Sequence, residues 1–182
     1  MRMEAQSLMD WAAEHQAEAD ADYEDPAEEI PGGNEHRVFL LRDKTRVLKL
    51  TNPPNFGAQG GLLNYLNNIV LSNFPWSDDI RLEAVRRTEA GPELIISQPF
   101  IRGRHATEEE IAAFFTARGF TYRGYHSYQR PSGLRIADAR PANILLDALT
   151  KRFMPIDLHI LNASADLLAE AWSHHEATRT AD

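Results

Sequence analysis

Cysteine is absent from the 182 residues, which removes disulfides, thiolate metal sites and cysteine nucleophiles together. Long apolar runs are missing as well. No stretch approaches the roughly 18 apolar residues of a membrane span, and the first residues, Met-Arg-Met-Glu-Ala-Gln, lack the apolar region of a secretory signal. These absences predict a soluble, cytoplasmic protein without membrane contact. Positive charge is scarce, 19 Lys and Arg against 27 Asp and Glu, and the shortage is local. Residues 2–29 hold ten acids and one base, while the remainder holds seventeen acids and eighteen bases. A near-neutral body behind an acidic leader has no basic face, so no direct nucleic-acid binding is expected.

What is present reads as alternating helices and hairpins. Leu8, Trp11, Ala12 and His15 recur at helical spacing, predicting an amphipathic helix over residues 4–20. Residues 20–29 read as a solvated acidic linker ending at Pro31, or as a negative surface for a basic partner. Val38–Leu41 and Val47–Leu50 are short apolar runs around a polar turn, a β-hairpin. Gly32-Gly33 before it would let the backbone approach a ligand closely. Lys49 sits inside the second strand, where it either points to solvent or reaches phosphates held over the sheet. Residues 60–73 read as a packed helix, and 80–88 with 94–100 as a second hairpin turning across residues 89–93. Pro99 should end that strand. Thr107 to Glu110 has capping-box spacing and opens a helix over 108–118, with Gly119 as its stop. Residues 120–135 read as aromatic and irregular. Residues 134–137 predict a short strand, 143–146 and 152–156 a further hairpin, and 163–175 a last helix. The seven histidines offer no zinc pattern; His36, beside the glycine pair, is either a polar strand end or a phosphate or acceptor contact.

Two segments carry the chemistry. Ile136-Ala-Asp138-Ala-Arg140-Pro-Ala-Asn143 is followed, fourteen residues after Asn143, by Asp157. Phosphoryl transfer needs a carboxylate near the acceptor hydroxyl, a cation near the γ-phosphate and oxygen ligands for Mg²⁺. Asp138, Arg140, Asn143 and Asp157 are the residue types for those tasks. Taken without the other motifs, Asp138 and Asn143 read equally well as a turn that caps its own backbone.

In chain order, Gly32-Gly33-Asn-Glu-His36, Leu48-Lys49-Leu-Thr51, Asn64-Tyr-Leu66, Ile96-Ser-Gln98-Pro-Phe100, Gly119-Phe120 and Ala137-Asp-Ala-Arg-Pro-Ala-Asn143 resemble the serine/threonine/tyrosine kinase-like domain of bacterial polyvalent proteins. Those are large multidomain proteins of phages and conjugative elements. The resemblance spans about residues 32–158. It implies an α+β, protein-kinase-like fold with an antiparallel β-sheet small lobe over 32–101. A strongly truncated helical large lobe would occupy 102–182, and the acidic helix and linker 1–31. It implies ATP and Mg²⁺ as cofactors, Asp138 as catalytic base and Arg140 against the γ-phosphate. Asn143 and Asp157 would be metal ligands and Lys49 would hold the α- and β-phosphates. Gly32 and Gly33 would lie on the nucleotide, with Gln98 and Phe100 in the adenine-binding segment.

The sequence departs from the kinase pattern at several places. Ile136 and Ala137 replace the usual His-Arg before the catalytic Asp, which implies no control through a phosphorylated activation loop. Asp157-Leu-His159 stands for Asp-Phe-Gly. Residues 60–73 contain no acid to pair with Lys49, leaving Gln59, Asn64 or Glu83 as substitutes. Only 25 residues follow Asp157, too few for an ordinary peptide platform. The expected activity is therefore ATP-dependent phosphotransfer to a protein or small-molecule acceptor, with part of the substrate surface from a second copy of the chain in a homo-oligomer. The alternatives are a pseudokinase that binds nucleotide or protein without turnover, and an acidic decoy of a nucleic-acid-directed protein.

Overall fold

The computed structural model describes residues 2–20, 23, 27–31, 36–56, 61–76 and 78–179. The fold is mixed α/β, with four α-helices and three antiparallel sheets among those residues. The chain divides into two units, residues 1–67 with 79–100 and residues 68–78 with 101–182.

Unit 1 rests on a sheet ordered β1-β2-β3-β5-β4, built from Ala27–Ile30 (β1), His36–Leu41 (β2), Arg46–Thr51 (β3), Arg81–Thr88 (β4) and Gly91–Pro99 (β5). The expected first hairpin forms, with Phe39 opposite Leu48 and Val38 opposite Lys49. Side chains alternate between the two faces. Phe39, Leu48, Leu50, Ala84 and Ile95 pack together on one face. On the other, Val85 and Leu94 are covered by Leu8, Met9 and Ala12 of α1 (Arg2–Glu14) and by Leu62 of α2 (Leu62–Trp76).

The leader differs from its sequence reading in two ways. Helix α1 ends at Glu14, short of residue 20, because Gln16 turns into the left-handed region at φ +55°. The chain then lies along β4, Val85 N donating to Ala17 O at 2.8 Å and Ala19 N to Val85 O at 3.0 Å. Residues 27–30 are also not a solvated linker, since Ala27 pairs with Leu41 and Ile30 with Val38. Backbone pairing with the open edge of β2 overrides the weak strand preference of Glu28 and Glu29, whose side chains stay exposed. The second hairpin turns more tightly than expected, through Glu89-Ala90, with Gly91 and Pro92 inside β5 opposite Thr88 and Arg87. Pro92 lies beyond the residues of β5 that β3 covers, where a missing N–H is tolerated.

Unit 2 packs the second half of α2 against α3 (Glu108–Thr116), α4 (Ala165–Arg179) and seven short strands. These are Gly103–His105 (β6), Thr121–Gly124 (β7), Ser127–Gln129 (β8), Arg135–Ala137 (β9), Ile144–Asp147 (β10), Phe153–Pro155 (β11) and His159–Leu161 (β12). They form sheets β11-β10-β6 and β12-β9-β8-β7, more strand than a mainly helical lobe would hold. The core gathers Val70, Leu71, Ile111, Phe115, Ile136, Ile144 and Ile160, among others. Phe115 is fully buried, stacked on Tyr128 with ring centroids 4.6 Å apart. Within residues 120–135, read from sequence as irregular, 121–129 form the hairpin β7–β8, while 130–134 are irregular as expected. Strands of four and three residues are too short for a period of two to stand out. No helix among the described residues is long and apolar enough to cross a membrane.

Helix α3 begins as expected. Glu110 N donates to Thr107 Oγ1 at 3.2 Å and Thr107 N donates to Glu110 Oε2 at 2.9 Å, a complete capping box. Arg104 adds a fork to the same carboxylate, Nη1 at 2.8 Å and Nη2 at 2.6 Å. Those bonds, Arg104 first and the Thr107 backbone second, lower the Glu110 carboxyl to about 2. A depressed carboxylate adds stability above its unfolded value near 4.5 and loses it as pH falls through about 2. Glu110→Gln should therefore be less stable than wild type at neutral pH, and the gap should close between pH 4.5 and 2 in urea titrations at stepped pH.

Gly103 is where β6 meets β10. A Cβ there would fall 2.1 Å from Leu146 O and 2.9 Å from its carbonyl carbon. Backbone cannot yield as a side-chain tip can, so Gly103→Ala should force the strands apart. We expect a loss of about 1–3 kcal/mol, read from the urea midpoint at unchanged slope.

Candidate functional site

Strand β9 carries the chain to Asp138. Its middle residue Ile136 is buried between Tyr128 of β8 and Ile160 of β12, so the end of the strand is fixed on both sides. Asp138 then adopts φ +58°, a conformation that Asp tolerates better than most residues. Asn143 braces it. Its Nδ2 donates to Asp138 O at 2.9 Å and to Asp138 Oδ2 at 2.6 Å. The other carboxylate oxygen, Oδ1, receives Arg140 Nε at 3.1 Å.

Asn143 closes a single 3-10 turn, Pro141–Asn143, opened by a proline whose fixed φ suits that position. The turn delivers the chain into β10, and Ile156 N, just beyond β11, donates back to Asn143 O at 2.9 Å. Asn143 is 5% exposed. Asp157 follows Ile156, and β12 begins two residues later with His159 opposite Ala137. Asp138 and Asp157 thus leave the β9–β12 pair at the same end.

A residue that sequence reading passed over positions this second carboxylate. Asn68 of α2 donates from Nδ2 to Leu158 O at 2.9 Å and accepts from Ile160 N on Oδ1 at 2.7 Å. One side-chain amide thus imitates a neighbouring strand for the residues after Asp157. An Asn on a helix gives no sequence signal for that task, because its partner is 90 residues away.

Asp138, Arg140 and Asn143 are therefore joined by hydrogen bonds in unit 2, and Asp157 precedes the paired strand at the same end. Their oxygens fit a hard cation in kind: Asn143 has committed its amide nitrogen and keeps Oδ1, and Asp157 offers a carboxylate. Mg²⁺ takes one or two such protein oxygens and completes its shell with water and substrate phosphates. No group of three or more His, Cys, Asp or Glu side chains is gathered as for a metal ion among the described residues. A cleft of about 520 Å³ in unit 2, lined by Trp76, Phe114, Arg118, Arg152 and Phe153, includes none of the four.

The remaining candidates lie in unit 1 or outside the described residues. Lys49 faces the side of the sheet that α1 and α2 cover, opposite Val38 and Ile96. Glu83, a suggested partner, instead accepts from Ser97 Oγ on the reverse face. Gln98 is buried in the ladder opposite Val47, and Phe100 N donates to Thr45 O at 2.8 Å. His36 is buried, with Nε2 2.8 Å from Tyr65 Oη, a satisfied polar position at a strand end. Gly32, Gly33 and Gln59 lie outside the described residues.

The left-handed Asp138 yields a stability test independent of activity. Asp138→Asn keeps the tolerance for φ +58° and the carbonyl that Asn143 needs. Asp138→Ala keeps only the carbonyl and puts an intolerant residue at that angle. Thermal melts should show Asp138→Ala less stable than Asp138→Asn by about 1–2 kcal/mol.

The model of the family described as serine/threonine/tyrosine kinase found in polyvalent proteins matches residues 2–161. The match takes in the acidic leader, which the motif-by-motif resemblance had left outside. No curated protein matches the sequence.

Proposed function

The chain belongs to the serine/threonine/tyrosine kinase family found in polyvalent proteins, and from that premise we propose that it transfers the γ-phosphoryl group of ATP to a hydroxyl acceptor. The observation that carries this reading is the double donation from Asn143 Nδ2 to Asp138 O and Oδ2. It holds the candidate base and a candidate metal ligand in one rigid loop, as the kinase catalytic loop requires. We assign the fold, on the same footing, to the protein-kinase-like class with a reduced second lobe. The residue roles follow the family pattern.

Asp138 orients the acceptor hydroxyl and takes its proton as the oxygen–phosphorus bond forms and ADP leaves with the electron pair of the broken bond. Arg140 is half exposed and can swing from Asp138 Oδ1 to the transferring phosphoryl group, freeing that oxygen for the hydroxyl. Asn143 Oδ1 and Asp157 would hold Mg²⁺, which when bound neutralises charge on the phosphates. Lys49 is assigned to the α- and β-phosphates, Gly32 and Gly33 to close backbone approach, and Gln98 and Phe100 to the adenine segment.

A pseudokinase is the second reading, favoured by one observation. Both oxygens of Asp138 are already engaged, by Arg140 and Asn143, an arrangement that would serve a folded loop without turnover.

Incubation with γ-labelled ATP and Mg²⁺ separates the two. Phosphotransfer or ATP turnover should fall about 10²–10⁴-fold in Asp138→Asn and be lost in Asp157→Ala. A melt raised by Mg²⁺–ATP with no turnover in wild type would establish the second reading instead.

A further inference from the structure

Residues 118–135 hold four arginines, three tyrosines and no acid, in a chain of net charge −8. Half of that stretch, residues 121–129, is the hairpin β7–β8. Strand β7 is the outermost of its sheet, and Thr121, Tyr122 and Arg123 along it are all exposed. An open strand edge presents N–H and C=O groups at the spacing that an extended peptide matches. Three of the arginines are used internally. Arg118 lies over the Phe114 ring at 3.7 Å, Arg130 Nε donates to Arg118 O at 3.1 Å, and Arg135 Nε donates to Ser127 Oγ at 2.6 Å. Arg123 has no hydrogen-bond or ion-pair partner among the described residues.

The tip of the hairpin is strained. Its two turn residues, Tyr125 and His126, have φ +47° and +52°. Two-residue hairpin turns take such angles at both positions, and Asn-Gly or Asp-Gly ordinarily supplies them. A tyrosine and a histidine adopt them against preference. Packing does not explain the choice, because Tyr125 is 97% exposed. The same turn is tied to the candidate site, His126 O accepting Ala139 N at 2.9 Å. With Tyr128 opposite Ile136, the turn stands one strand, about 5 Å, from Asp138.

We propose that the outer edge of β7, with Arg123 and Tyr125, is the docking surface for the phosphate acceptor, an extended polypeptide segment rich in Asp and Glu. The word acceptor rests on the phosphotransfer reading above; the docking edge does not. The segment adds as a strand beside β7, its carboxylates meeting Arg123, with Tyr122 and Tyr125 packing against its stems. An edge of backbone donors and acceptors selects a polypeptide over a nucleic acid of equal charge. The paired part of the segment lies three strands from β9, about 14 Å, so the residues that run on past Tyr125, where the turn is tied to Ala139, are the ones whose hydroxyl reaches the base.

The test is fluorescence anisotropy of a labelled random Glu/Tyr copolymer titrated with the full chain, followed by labelled-ATP transfer to the same polymer. Arg123→Glu should weaken binding about tenfold or more and leave the Mg²⁺–ATP melt shift unchanged. Tyr125→Gly should raise the melting temperature by relieving the turn, yet still weaken binding, a split that a purely structural tyrosine would not give. Copolymer binding that depends on Arg123 but brings no phosphate incorporation supports the docking edge and refutes transfer to a tyrosine hydroxyl docked there. Equal binding or equal transfer KM in Arg123→Glu overturns the docking edge and leaves phosphotransfer standing. Tighter binding of a charge-matched oligo-dT than of the copolymer also overturns it, in favour of a nucleic-acid surface.

Discussion

Asn143 is the residue on which the candidate site depends. It is 5% exposed and uses its side chain and both backbone groups. The amide nitrogen holds Asp138, the backbone N–H donates to Arg140 O at 2.9 Å, and the carbonyl accepts Ile156 N at 2.9 Å. A left-handed aspartate is unfavourable in isolation, so it persists only where the surroundings over-determine it. Four bonds at one buried residue, two of them to Asp138 itself, do that. They also link the loop holding Asp138 to the turn holding Asp157, so neither carboxylate can be displaced without disturbing the other. Losing the amide would strand a carbonyl and a carboxylate in a half-dry loop, with the penalty that such groups carry.

A second constraint acts in unit 1, where the chain returns at Asp79. Arg46 Nη1 meets Asp79 Oδ2 at 2.6 Å, Arg81 Nε meets Oδ1 at 2.8 Å, and Arg46 Nη2 takes Asp79 O at 2.6 Å. Burial works against the charged carboxylate, but the hydrogen bonds from Arg81 and Arg46 outweigh it and lower its pKa. Arg46 also donates Nε to Ser97 Oγ at 2.8 Å. The re-entry point is thereby fastened to the two strands that flank it in space, β3 and β5. Arg86 and Glu93 form a drier pair across β4 and β5 at 2.6 Å. Such a pair contributes more to register than to net stability, since desolvation offsets much of the attraction.

What could be read from sequence was what depends on neighbours in the chain. The capping box at Thr107, the hairpin of β2 and β3 and the strand end at Pro99 all formed where local chemistry placed them. The grouping of Asp138, Arg140 and Asn143 was legible for the same reason, since all lie within six residues. Long-range pairings were not legible. Strand β1 exists because β2 has an open edge, a fact that the acid-rich segment does not record in its own residues. The bonds from Asn68 to Leu158 and Ile160 and from His126 to Ala139 join positions far apart in sequence through backbone atoms, which every residue has and no composition marks.

Arg140 shows how this frame leaves room for change. Its contact with Asp138 is between neighbours two residues apart, with the guanidinium about half in water. An exposed pair of that kind is worth about 0–1 kcal/mol, whereas Asn143 grips the other oxygen from a buried position. The two oxygens of Asp138 are therefore unequal. One is structural and stays bound; the other is held weakly enough that a phosphate group, carrying more negative charge than one carboxylate, would draw the arginine away. Under the phosphotransfer reading, nucleotide arrival and unmasking of the base then become one event, because the cation that covers Asp138 Oδ1 is the one that the phosphate recruits. On that reading Asp138 acts as a base without loosening its loop, since the oxygen that must be released is not the oxygen that holds the fold.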